Sequence, residues 1–206
     1  MNKAVLIAAL ALGACAHQEQ VAAAAPAPDW RSVATDADRQ RLSQWRTAFV
    51  QGLSEARASG HAAEIAREGR LLEPDAGTAG RPPAGDYQCR VIKLGSKIKG
   101  GLAYVTYRPF ACRIDDEGGI ASFRKVTGSQ RPVGVILGGG QKLVFLGTMV
   151  LGDERKPIDY GRDADRDMIG AVESIGNGRW RLILPYPRFE SVMDVVELVP
   201  SSERPS

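Results

Sequence analysis

The sequence predicts a mainly β protein of α+β class, in which an α-helical hairpin precedes an antiparallel meander of about eight strands. Two observations support this prediction. Apolar residues recur at helical spacing in the first third of the chain, and from Gly85 onward short apolar runs alternate with turn-forming residues. The 23 glycines fall largely between these runs, as expected for strands joined by tight turns. One domain, at 29–200, accounts for both parts.

The helical hairpin is predicted at 29–72. Thr35 can cap a first helix that Gly60 ends, and a second, shorter helix is expected at 61–70. The apolar face of the first helix must pack on the part of the chain that follows. That face is formed by Leu42, Trp45, Phe49, Leu53 and Ala56.

The strand region is predicted at 85–200. Because a closed sheet has no exposed edges, we favour a small barrel, similar in architecture to lipocalins or avidin, over the alternative of a two-sheet β-sandwich. Such a barrel can be filled by side chains or can hold one small ligand. The strands are expected at 85–94, 102–114, 119–126, 132–137, 142–151, 168–175, 179–184 and 192–199.

The N-terminal residues 1–14 have the layout of a bacterial lipoprotein signal peptide. Nine apolar residues after Lys3 are too few to span a bilayer, and the tetrad ending in Cys15 resembles the lipobox. Lipid on Cys15 would anchor the protein, with 15–28 as a flexible tether and 201–206 as a disordered tail. The alternative is an ordinary signal peptide cut near residues 23–25.

The residue after the lipobox cysteine favours one location. Ala16 is not the aspartate associated with inner-membrane retention, so we expect the periplasmic face of the outer membrane. The membrane is then one partner, through the lipid.

Two further cysteines are expected to form a disulfide in an oxidising compartment. If Gly100-Gly101 is a two-residue hairpin loop, Cys89 and Cys112 lie directly opposite each other on neighbouring strands. The apolar positions change face midway along this hairpin, which suggests a bulge near Gly95. Two free buried thiols and a redox pair are the alternatives.

The composition offers little for catalysis, metals or nucleic acid. The net charge is only +3, far from the concentrated positive charge of a nucleic-acid binder. Of the two histidines, His17 falls in the tether and His61 at a helix start, so no Ser-His-Asp triad or metal site is expected. We name no catalytic, cofactor-binding or metal residue. The alternating acids Asp163, Asp165 and Asp167 lack the glycine and glutamate of a calcium loop.

Several stretches together resemble one family, the domain of unknown function family 4893 of exported α-proteobacterial proteins. The resemblance covers about 29–200 and implies an envelope setting, with no known activity, cofactor or site residue to transfer. The stretches are "DWRSVATDADRQRLSQWR", "AGDYQCRVIKLG", "FRKVTGSQRPVG", "RDMIGAVESIGNGRWRLILPYPRFES" and "DVVELVP".

The sequence therefore favours a lipid-anchored, non-catalytic envelope protein that serves as a binding or structural interaction module, with an envelope protein as a possible partner. A barrel that carries a small apolar ligand is the alternative. A hydrolase of envelope polymers is a weaker one.

Overall fold

The computed structural model describes residues 27–139 and 141–201 as four helices, a 3₁₀ turn and nine strands. The predicted signal peptide, Cys15, most of the predicted tether and most of the tail lie outside these residues. The helices are α1 (Trp30–Val33), α2 (Asp36–Ser43), α3 (Trp45–Ala58) and α4 (Ala62–Glu68), and the 3₁₀ turn is Gly69–Leu72. The strands are β1 (Gly85–Leu94), β2 (Tyr104–Thr106), β3 (Phe110–Glu117), β4 (Ile120–Lys125), β5 (Gln130–Gly139), β6 (Lys142–Leu151), β7 (Asp167–Gly176), β8 (Arg179–Pro185) and β9 (Met193–Pro200).

The strands form a closed eight-stranded antiparallel barrel, as predicted. Each strand from β3 to β9 bonds to the next, β1 bonds to β3, and β1 also bonds to β9 along 87–94, which closes the wall. The remaining strand, β2, is short and pairs with 92–94 of β1, next to the segment 85–89 that pairs with β3. The closure between β1 and β9 excludes the two-sheet β-sandwich. None of the helices in the described residues is long and apolar enough to cross a membrane.

The single first helix predicted at 35–59 is wrong, because the chain breaks it at Gln44. Gln44 has φ −96° and ψ 10°. It is both the C-cap residue of α2 and the N-cap residue of α3. Thr35 caps α2 as predicted, accepting a hydrogen bond from the Asp38 amide at 3.2 Å. On either side of the break, α2 packs mainly on β7 and α3 packs on β1, β8 and β9. The predicted second helix is observed as α4 and the 3₁₀ turn.

The helices cover the outer face of about half of the barrel. Trp30 and Leu42 pack on the outer side of β5, β6 and β7, while Phe49 and Leu53 of α3 pack over β1, β8 and β9. Strands under the helices are therefore buried on both faces, whereas β3 and β4 have one exposed face.

This cover explains the change of apolar face along β1. Tyr87 and Cys89 point into the barrel, and Ile92 and Leu94 point outward beneath α3. The register of β1 against β9 is continuous from Tyr87 to Leu94. The predicted bulge near Gly95 is therefore wrong. The apolar pattern changes face because a second apolar layer begins outside the barrel.

The structure joins Cys89 to Cys112 in a disulfide whose Cα atoms are 6.0 Å apart. The predicted register is wrong, because Cys89 lies opposite Phe110 and Cys112 opposite Tyr87. A shift of two positions keeps both side chains inside the barrel as diagonal neighbours.

The hairpin loop accounts for this shift. The connection from β1 to β2 runs through 95–103, and Gly100 lies within a four-residue turn closed by the hydrogen bond from the Gly101 amide to Ile98 at 2.9 Å. The ladder is then interrupted at 107–109, where Pro109 has no N–H to donate. The Gly-Gly pair is therefore not the two-residue hairpin loop that the sequence predicts.

The two ends of the barrel differ in their connections. At one end, the two-residue turns 118–119 and 177–178 join β3 to β4 and β7 to β8, and β6 begins three residues after β5 ends. At the other end the connections have four to fifteen residues, and we call this end the mouth. They are 95–109, 126–129, 152–166 and 186–192, of which the first contains β2.

Aromatic side chains fill the barrel below the mouth. Phe123 and Phe145 meet edge to face in its middle, with ring centroids 5.8 Å apart. Tyr87 and Trp180 pack in the same way nearer the tight turns, at 6.3 Å. The lower part of the barrel interior is thus a packed core, and the described part of the interior opens to solvent at the mouth.

Candidate functional site

The mouth of the barrel contains an open cavity of about 400 Å³. This volume lies within the range of small-molecule pockets, about 300–1,000 Å³. Long loops surround the cavity, and side chains from the barrel interior form its floor. Because loops set on a rigid barrel commonly carry binding residues, this cavity is the best candidate site.

The floor of the cavity is apolar. Inward-facing positions alternate along each strand, so every strand contributes its odd or its even residues to the interior. Phe123, at the floor, is also part of the edge-to-face aromatic pair below. The floor residues are Val91, Phe110, Phe123, Met168, Leu184 and Val196.

Charged side chains surround the apolar floor. Six cationic and three acidic side chains line the cavity among the described residues. The cations are Arg41, Lys93, Arg108, Lys125, Arg166 and Arg188, and the acids are Asp165, Asp167 and Asp194. Their sum is three positive charges, so the rim has an excess of positive charge.

On the β6–β9 side of the mouth, acids partner the cations. Arg188 contacts Asp165 at 2.6 Å, which joins the β8–β9 loop to the β6–β7 loop. Arg166 binds Glu154 at 2.6 Å. These contacts hold the loops together and neutralise this side of the rim.

Lys93 and Asp194 form a pair in the wall where β1 meets β9, with Nζ and Oδ2 3.8 Å apart. Burial disfavours the charge on Lys93, but Asp194 and Glu190 outweigh this effect and raise its pKa. Burial raises the pKa of Asp194. Ser191, which is buried, donates a hydrogen bond to Asp194. The charges of Lys93 and Asp194 are therefore compensated within the protein.

The β2–β4 side of the mouth is different. Arg108 and Lys125 have no carboxylate within salt-bridge distance in the part of the chain that the structure describes. The Nζ of Lys125 lies 4.3 Å from the centroid of the Phe110 ring, at the edge of the apolar floor. Burial, with a smaller contribution from Arg131, lowers the pKa of Lys125. The positive charge of the rim is therefore concentrated on this side.

The other residues considered in the sequence do not form a site. Asp163 contacts Arg166, Asp165 contacts Arg188, and Asp167 accepts a hydrogen bond from the Gly161 amide. No group of potential metal ligands occurs within residues 27–139 and 141–201. His61 stacks on Tyr104 at 5.0 Å, on the outer side of the barrel, and His17 lies outside the described residues.

Sequence reasoning missed the cavity and its two unpartnered cations. One signal was present: long and two-residue connections alternate along the strand region, and alternate connections of a meander meet at the same end of a barrel. The spacing of the turns thus predicts one open and one closed end. It does not indicate which charged residues lie at the rim without partners.

These features define a class of protein: a small, helix-covered antiparallel barrel with one closed end and one ligand-sized mouth. The chain matches the family model "Domain of unknown function (DUF4893)" over residues 30–198 and belongs to that family. The match spans both the helices and the barrel. Neither the curated proteins nor the solved structures contain a significant match to this chain.

Proposed function

We propose that the protein is a non-catalytic binding protein of the cell envelope that holds the apolar part of a small ligand in the mouth of its barrel. The observation that carries this proposal is the open cavity of about 400 Å³ with an apolar floor above a packed core. A purely structural barrel would have no need of an apolar recess left open to solvent, because unfilled apolar space weakens packing.

The cavity therefore favours a barrel that carries a small ligand over one that serves only structural interactions. The ligand occupies a cup and does not pass through the barrel, since Phe123 and Phe145 fill the space below. For the hydrolase alternative, the described lining of the cavity provides no histidine or cysteine, and its three acids are engaged within the protein. Asp165 contacts Arg188, Asp167 accepts a hydrogen bond from the Gly161 amide, and Asp194 accepts one from Ser191. The lining instead combines apolar contacts with positive charge, which suits binding.

A structural interaction module remains a second candidate, and one observation favours it. Large apolar side chains are exposed on the mouth loops, where a protein partner could cover them. They are Ile98, Leu102, Tyr107, Val126, Ile158 and Phe189. A protein partner would cover these side chains, two of which, Tyr107 and Phe189, also line the rim of the cavity. A small ligand would instead contact the cavity floor.

The test of the carrier function is native mass spectrometry of the protein purified from its own membrane fraction. We expect a retained small molecule in the wild-type chain. Val91→Trp, which adds bulk on the cavity floor, should abolish retention. Val135→Trp places the same side chain on the outer face of β5, where Val135 is 36% exposed, and should retain the molecule. Equal retention by both variants would contradict a ligand in the cavity, and a retained protein would favour the interaction module.

We further propose that lipid on Cys15 anchors the protein at the periplasmic face of the outer membrane. The lipobox-like tetrad supports this proposal, and the Cys89–Cys112 disulfide is consistent with an oxidising compartment. Cys15→Ser should abolish labelling with radioactive palmitate and release the protein from the membrane fraction. Unchanged labelling in this variant would refute lipidation at Cys15.

A further inference from the structure

We infer that the ligand of the cavity is an amphiphile with an anionic head group, and that this head group is held by Lys125 and Arg108. The inference rests on the proposed function and specifies the chemical class of the ligand. An alkyl chain would occupy the apolar floor, and a carboxylate or phosphate would lie at the β2–β4 side of the rim.

The first argument is the asymmetry of the rim. Arg166 and Arg188 have acidic partners within the protein, and so does Lys93. Arg108 and Lys125 have none among the described residues, although they line the same cavity. The loop 95–109 that carries Arg108 contains two further lysines and no acid. The positive charge left on this side is available to an external anion.

The second argument is the surroundings of Lys125. Its ammonium group lies over the Phe110 ring and at the edge of the apolar floor, where part of its hydration is lost. Burying a cation without a counter-ion costs free energy, and an anion bound beside it would recover part of that cost. In a partly desolvated site such an ion pair is also screened less by water and salt than one on the surface.

The third argument is the position of these cations relative to the floor. Phe110 and Phe123 lie on β3 and β4, the same strands that lead to Arg108 and carry Lys125. One ligand can therefore contact the aromatic floor with its chain and both cations with its head. The chemistry is shared by fatty acids and by alkyl phosphates of lipid origin, and the test below separates these two.

The test compares ligands with one chain length and different head groups. Decanoate, decyl phosphate, decanol and decyltrimethylammonium are titrated calorimetrically, below micelle formation, into the full chain carrying Cys15→Ser, so that no covalent lipid competes. We expect at least one anion to bind about tenfold or more tightly than decanol, and the cation to bind most weakly. The stronger of the two anions identifies the head group as carboxylate or phosphate.

Variants then test the named side chains. Lys125→Gln and Arg108→Gln should each reduce the preference for the anion over decanol severalfold, while Lys125→Arg should keep it. Lys142→Gln is the matched control, because Lys142 is exposed at the closed end. If Lys125→Gln fails to fold, Arg108→Gln on the exposed loop gives the same reading.

The outcomes separate the two proposals. If decanol binds as tightly as both anions, or if neither glutamine variant changes the preference, the inference is overturned while a carrier of apolar ligands stands. If none of the four probes binds, the proposed function fails together with the inference.

Discussion

Arg181 lies on the outer face of β8, beneath the helices, with its side chain 0% exposed. Its guanidinium donates to Glu173 at 2.9 Å and to the carbonyl oxygens of Leu71 and Glu73 at 3.0 and 2.8 Å. These carbonyls lie at the end of the 3₁₀ turn, where a helical segment leaves acceptors without internal partners. One side chain therefore fastens the helical region to the barrel wall.

Arg181→Met should lower the free energy of unfolding by about 3–5 kcal/mol, because it leaves the partly buried Glu173 carboxylate and several carbonyls without donors. The measurement is urea denaturation. Arg124→Met is the control: Arg124 contacts Asp115 with its side chain 51% exposed, and its loss should cost about 0–1 kcal/mol. Equal losses for the two variants would contradict the role assigned to Arg181.

Tyr87 is a second residue whose environment has a measurable consequence. It is buried near the tight turns, and its hydroxyl donates to the Pro83 carbonyl at 2.7 Å. Burial raises the pKa of Tyr87 to about 12. The pKa is then higher in the folded than in the unfolded chain, where it is about 10.

Stability should therefore fall at alkaline pH, in part through Tyr87. Below pH about 10 the Tyr87 side chain is neutral in both the folded and the unfolded state, so its contribution to the free energy of unfolding is fully present. Between about 10 and about 12 the unfolded chain loses the proton while the folded chain keeps it, so the folded state loses stability. Tyr87→Phe should flatten the curve of unfolding free energy against pH in this range.

The control for this prediction is Tyr107→Phe, because Tyr107 is exposed at the mouth. Its curve should follow that of the wild type. Tyr160, whose pKa burial also raises to about 12, remains in both variants, so the difference between them isolates Tyr87. A parallel decline in Tyr87→Phe and wild type would argue against this assignment.

The elements α3 and β1 approach each other closely at Gly52. A Cβ atom at this position would lie 2.9 Å from the Cβ of Leu94 and 3.0 Å from its carbonyl oxygen. Contacts of this length require the helix to move away from the strand. The glycine therefore sets the distance between helix and barrel.

Gly52→Ala should destabilise the protein by about 1–2 kcal/mol, although alanine is the better helix former by about 1 kcal/mol. Ser54→Ala, on the exposed face of the same helix, should be neutral or slightly stabilising. Thermal unfolding of both variants measures the difference. A more stable Gly52→Ala variant would show that the close approach is not limiting.

The elements also show what local sequence can and cannot predict. Most strand positions after Gly85 follow from turn residues and apolar runs, which are local signals. The strand predicted at 102–114 is the exception, because the chain divides it into β2 and β3 next to Pro109. The register of Cys89 against Cys112 depends on the length of the β1–β2 loop. The glycines of this loop form a turn within it and are not the two-residue link between the strands. The break at Gln44 separates α2, which packs on β7, from α3, which packs on β1, β8 and β9, and these contacts are not visible in the local sequence.

The helices and the barrel bury their apolar surfaces against each other. The outer faces of β1 and β5–β9 pack against helical residues such as Trp30 and Phe49. Neither part buries its apolar surface alone, so we expect the two to unfold together.

Variants with one tryptophan test this expectation. Trp180 reports on the barrel interior and Trp45 on α3, and each is kept alone by replacing the other tryptophans with phenylalanine. In both proteins, the midpoint of urea unfolding by fluorescence should coincide with the midpoint by circular dichroism. An earlier transition for Trp45 would show that the helices detach from an intact barrel.

The barrel itself could be predicted from the sequence, since closure is the simplest way to leave a meander without edges. The cavity could not, because its shape depends on which interior side chains meet across eight strands. Phe123 and Phe145, for example, lie on strands that do not pair with each other and meet only inside the barrel. Likewise, Arg188 and Lys125 are equally charged in the sequence, and only the fold supplies one of them with an acid.

The packed aromatic layer below the mouth has a kinetic consequence. Because the cavity has a single opening, a bound ligand must dissociate before a second ligand can enter. A competing ligand in solution can occupy the empty cavity but cannot displace a ligand that is still bound. The dissociation rate constant of the bound ligand should then be independent of the concentration of the competing ligand.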